Sequence, residues 1–145
     1  MAYQARKSKL FKEEFQLVDE NGKIAKTLYV ELNPMTVAPR LSEKYLALQH
    51  SLTSVKEVKK GENGKAYETV GMAMKDILET VFGDEDAKTI IEFYDGRYLE
   101  MCKEILPFVK DVVVPKVRKL AQEERKNIIS GYSRKKRRLL GKRFA

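Results

Sequence analysis

Apolar and polar positions change rhythm several times along the chain, and each rhythm selects an element. Phe15, Leu17 and Val18, then the run from Ile24 to Leu32, are rich in β-branched and aromatic residues. In the second run Leu28, Val30 and Leu32 alternate with Tyr29 and Glu31, giving one apolar and one polar face. Asp19-Glu20-Asn21-Gly22-Lys23 separates the two runs, and its Asn-Gly pair supplies the positive φ angles of a tight turn. The spacing predicts a β-hairpin over about residues 12–32. A lone hairpin is marginal in water, so its apolar face needs a cover.

Asn33-Pro34 and Pro39 then break the chain ahead of a change of period. Leu41, Tyr45, Leu48, Leu52 and Val55 step by four, three, four and three, one stripe of an amphipathic helix over about 41–60, with Ser42 as its start cap. Gly61-Glu62-Asn63-Gly64 reads as an exposed connection. A second stripe, Tyr67, Val70, Met74, Ile77, Leu78 and Val81, predicts a helix over about 65–82, stopped by Gly83. Asp84 or Asp86 caps a short helix over about 85–95 that carries Ile90, Ile91 and Tyr94, with Gly96 interrupting it. From Arg97 to about residue 130 the helical spacing returns in Tyr98, Met101, Ile105, Phe108 or Val109, Val112, Val117 and Leu120. Pro107 and Pro115 lie inside that stretch and should bend or break it. Val112-Val113-Val114 alone would suit a strand, but its neighbours keep a helical spacing. The predicted architecture is mainly α with an N-terminal β-hairpin packed on a helical bundle.

Charge refines this picture at the C-terminus. The net charge of +8 is concentrated in seven cations after Ser133: Arg134, Lys135, Lys136, Arg137, Arg138, Lys142 and Arg143. Setting those seven aside leaves +1 for residues 1–133, which read as one domain, with 134–145 as a basic tail, disordered or helical. Five adjacent cations could neutralise a few phosphates, so nucleic-acid binding through the tail is one expectation. A solvated end is the plainer one. Tyr132 and Phe144 offer few aromatic platforms for stacking on single strands.

Composition bounds the rest. An apolar fraction of 43 % in 145 residues suffices for a packed core. The single cysteine, Cys102, permits no internal disulfide and no cysteine cage for zinc, as expected for a reducing, cytoplasmic setting. The first residues have no apolar stretch behind their charges, unlike a secretory signal. No apolar run approaches the ~20 residues that cross a bilayer, so no membrane partner is expected.

Candidate chemistry is sparse. His50, the sole histidine, lies beside the Leu48–Leu52 stripe and reads as a surface or half-buried helix residue, with no signature for a catalytic partner. Cys102 follows Met101 on an apolar stretch and reads as a small core side chain. Asp84-Glu85-Asp86 lacks calcium-loop spacing and suits a helix start. Gly61-Glu62-Asn63-Gly64-Lys65 has the wrong spacing for a phosphate loop. No catalytic residue, metal ligand set or cofactor box is expected, and the chain reads as a binding protein, not an enzyme.

The run from Ile90 through Phe93, Tyr94, Gly96 and Tyr98 to Met101, then Ile105-Leu106-Pro107-Phe108-Val109 and Val114-Pro115-Lys116-Val117, resembles the small tail assembly chaperones of long-tailed phages and prophages of Gram-positive bacteria. The resemblance spans roughly Lys65 to Tyr132. It implies a largely helical, self-associating protein that binds the long, aggregation-prone tape-measure protein before the tail tube polymerises around it. It also implies a longer isoform made by ribosomal frameshifting, and codons for Leu140-Gly141-Lys142 or for Arg134-Lys135-Lys136 could form a slippery heptamer. Tyr94, Tyr98, Met101, Leu106 and Phe108 are the expected partner-binding residues, since methionine and aromatics line adaptable helix-binding grooves. For each of them ordinary core is the competing role. The competing functions are a nucleic-acid-binding regulator acting through the tail, and another virion part such as a head–tail connector or tube subunit.

Overall fold

The computed structural model describes residues 2–57 and 63–144, with side chains placed for residues 2–55 and 67–131. Strands β1 (Phe11–Val18) and β2 (Ile24–Leu32) pair antiparallel, with Phe11 opposite Leu32 and Phe15 opposite Leu28. The turn is not a two-residue Asn-Gly turn. It is a five-residue loop in which Gly22 alone takes a positive φ, of 81°. Asp19 organises it: its Oδ1 accepts from the Asn21 and Lys23 amides, each at 2.9 Å, and its own amide donates to the Lys23 carbonyl at 2.8 Å. An irregularity between Leu17 and Val18 absorbs the longer loop.

Helix α1 runs from Pro34 to Glu57, so the expected break at Pro39 and start at Ser42 are both corrected. Asn33 is the cap: its Oδ1 accepts from the Met35 amide at 3.2 Å and its carbonyl from the Val37 amide at 2.9 Å. Pro34 then occupies the first helical position, where a missing donor is harmless. Pro39 costs one internal bond, to Met35, and burial of Val37 and Leu41 on either side offsets it. The expected connection at Gly61–Gly64 and the end of the first helix near residue 60 fall largely outside the described residues.

Helix α2 (Asn63–Phe82) ends at Gly83, whose φ of 86° also makes it the N-cap of α3 (Asp84–Phe93). Neither Asp84 nor Asp86 is the cap. Both lie in the first turn with Glu85, where the helix dipole favours acids, and no side chain caps that end. Asp95 and Gly96, with φ of 52° and 71°, reverse the chain into α4 (Tyr98–Phe108).

The expected single helix over 97–130 is instead α4, a π-helical turn at Val109–Val113, and α5 (Val114–Phe144). The prolines do not break it. Within the wider turn the Val114 amide donates to the Val109 carbonyl, five residues back, just before Pro115 interrupts the donor series. The backbone of α5 continues helical through Gly131 and the basic run to Phe144.

The protein is mainly α with an N-terminal hairpin, as the sequence predicts. The hairpin's inner face (Phe11, Leu17, Leu28, Val30, Leu32) and the helix stripes close one core around Leu48, Met74, Ile77, Leu78, Ile90, Met101 and Ile105. Helix α1 packs on α2 and α5, α2 also on α3, α4 and β2, and β1 on α5. Phe15 joins three elements, its ring 5.2 Å from Phe82 at the end of α2 and 4.9 Å from Phe108 at the end of α4.

Candidate functional site

The five expected partner-binding residues do not form one open surface. Met101, on α4, is 0 % exposed and belongs to the same core as Ile105 and the buried stripe of α2. Tyr94, Tyr98, Leu106 and Phe108 are half-buried at the core margin. Phe108 is held by Phe15 and Phe82, and Phe93 meets Tyr94 edge-on at 5.0 Å. Tyr98 lies across Gly71 of α2 so closely that a Cβ there would come within 2.8 Å of the ring.

Several large apolar side chains face outward, Ile24, Tyr29, Ile128 and Ile129 among them, and two on the packed helices α1 and α2 were not singled out by sequence reasoning. Leu46 on α1 is 64 % exposed and Met72 on α2 is 71 % exposed, with Tyr67 more than a third exposed near the start of α2. The signal was present: Leu46 stands two residues before Leu48, and Met72 two before Met74, which places each well round the helix from its buried neighbour. Tyr67, expected in the stripe of α2, is exposed and precedes Val70, the first buried position of α2 among the described side chains.

Two charged concavities flank the hairpin. At its loop end, Asp19 and Glu20 face Asp95, Glu100 and Glu104 across a cleft of about 690 Å³. Arg97 enters this cleft, paired with Glu100 at 3.0 Å and donating from Nε to the Tyr94 carbonyl. Burial, then the charges of Glu104 and Glu100, holds the Tyr94 phenol above its ordinary value. At the other end of β1, Lys9, Leu10 and Lys12 face Val112, Pro115, Lys116, Lys119 and Leu120 across a groove of about 960 Å³.

The remaining candidates take plain positions. Cys102 is 6 % exposed, and burial pushes its thiol up to about 11, which keeps it protonated and unreactive near neutrality. His50 is exposed on α1, where its carbonyl accepts from Ser54 Oγ. Among the described residues no three His, Cys, Asp or Glu side chains converge as a metal site, and no helix is long and apolar enough to cross a membrane. Arg134, Lys135, Lys136, Arg137, Arg138, Lys142 and Arg143 all lie on the backbone of α5. No protein-family model, curated protein or solved structure matches the chain.

Proposed function

We propose that this protein is a non-enzymatic phage tail assembly chaperone that binds the tape-measure protein in the bacterial host cytoplasm and keeps it soluble before the tail tube polymerises. The observation that carries the reading is the pair Leu46 and Met72, large apolar side chains held outward on α1 and α2, two helices that pack together. Apolar groups exposed on a helix pair suit a long helical partner, whose own apolar stripe gains cover by lying on them. Methionine adds adaptability, since its unbranched side chain conforms to varied surfaces. The sequence resemblance between Lys65 and Tyr132 points the same way.

The test is co-expression with a tape-measure protein, scored by the soluble fraction of that partner. The wild-type chain is expected to raise it. The double variant Leu46→Glu, Met72→Glu should retain the fold, by circular dichroism, and lose the effect. No gain in solubility with the wild-type chain overturns the proposal.

A further inference from the structure

Both ends of the chain are rich in cations, and the fold sets the N-terminal ones against two lysines near the start of α5. Residues 1–12 carry Arg6, Lys7, Lys9 and Lys12 with no acid, and residues 125–145 carry nine cations with no acid. Taking these thirteen from the net +8 leaves −5 for residues 13–124. Lys9 and Lys12 line one wall of the groove beside β1, and Lys116 and Lys119 of α5 line the other. The acids in the same groove are Glu13, Asp111 and Glu123. The acidic cleft lies at the opposite end of β1, whose eight residues span roughly 25 Å. The groove, with four lysines against three acids, is slightly positive, whereas the cleft, with five acids against Arg97, is strongly negative.

Helix α5 extends the basic side. Its last buried residue among those described is Ala121, and every residue from Arg125 to Gly131 is exposed. From Ala121 to Phe144 the backbone stays helical, a length of about 35 Å at 1.5 Å per residue. The basic run of residues 134–143 thus sits on the same helix as the groove lysines.

We propose that the groove between the N-terminal segment and α5, continued along the α5 arm, is a sequence-blind nucleic-acid-binding surface. The chemistry is charge neutralisation of phosphates by cations from two elements, with counterion release as the driving force. The groove is an open concavity with lysines on both sides and with Leu10, Val112 and Leu120 also in its lining. A phosphate backbone can lie along such an open groove between the two pairs of lysines. The inference is independent of the chaperone reading.

The experiment is fluorescence anisotropy of the full chain with a labelled random-sequence duplex of thirty base pairs, alongside flotation with phosphatidylglycerol-containing vesicles. Binding to the duplex is expected, and raising salt from 50 to 200 mM should weaken it roughly a hundredfold for about four phosphate contacts. The variant Lys116→Ser, Lys119→Ser should lower affinity about tenfold and flatten the salt dependence. A chain ending at Gly131 should retain weaker binding that still depends on those lysines. Circular dichroism melts confirm that both variants fold. Binding unchanged in the lysine variant, binding indifferent to salt, or binding to vesicles without binding to the duplex each overturns the proposal.

Discussion

Gly71 is a mid-helix glycine with a steric reason. Alanine there would add a Cβ 2.8 Å from Tyr98 Cδ2 and 3.2 Å from Cγ, the root of the ring, so the whole ring would have to shift. The gain in helix propensity, about 1 kcal/mol, opposes this clash. Overpacking of this kind costs about 1–3 kcal/mol, so Gly71→Ala is expected to destabilise in urea titration, and Tyr98→Ala in the same chain should relieve the clash. Leu48 is 0 % exposed, so Leu48→Ala should cost about 2–5 kcal/mol, and half-buried Leu52→Ala less. Equal losses at both positions would contradict the observed phase of α1. Cys102 gives a pH signature. Its thiol titrates at about 11 when folded against an ordinary 9.0, so above pH 9 the unfolded chain sheds a proton the folded chain keeps. The contribution is complete below pH 9 and is lost as pH climbs through 11. Wild type should therefore lose more stability than Cys102→Ala between about pH 8 and pH 10.5. At this scale the sequence was legible where periodicity speaks: Leu41, Leu48, Val70, Met74, Ile77 and Ile90 are buried as their spacing predicts. Gly71 was not legible, because its cause is a ring from another helix.

Between Met101 and Ala121 the chain places buried residues at strict intervals of four: Met101, Ile105, Val109, Val113, Val117 and Ala121. In a straight α-helix each such step advances about 40° past a full turn, so five steps would carry the stripe some 200° round, away from the core. The π turn at Val109–Val113 rotates less per residue and corrects part of this drift, keeping α4 and α5 on the same core. The signal was in the sequence as an unbroken four-residue spacing, but Pro107 and Pro115 drew attention to breakage instead. Pro39 misled in the same way, because the cap at Asn33 sits about two turns before the apolar stripe that begins at Leu41. If the π turn holds one extra residue, deleting Val112, which is partly exposed, should restore α geometry and leave the fold intact. Deleting Lys116 should instead rotate Val117 and Ala121 by about 100° and cost about 1–3 kcal/mol of lost burial. Thermal melts of the two deletions decide between this account and one in which the wide turn is incidental.

At the scale of the whole molecule, stability and charge reside in different parts of the chain. The described core closes at Ala121, while the seven cations beyond Ser133 ride on a continuation of the same helix. An amphipathic period could be read for the body, but the run from Arg125 onward has too few core-facing residues to mark a helix, so the sequence left its form open. What continues the helix there is propensity: Lys, Arg and Leu are strong helix formers, and a helix already nucleated by a packed segment propagates without the cost of a new start. Removing residues 132–145 should then shift global stability by no more than about 0.5 kcal/mol, as for surface changes, while lowering net charge from +8 to +1. Equilibrium urea unfolding measures the first, and the reduced salt-dependent retention on a cation-exchange column the second. A large loss of stability would mean that the arm folds back onto the body, and a groove covered by its own cations could not also receive a phosphate strand.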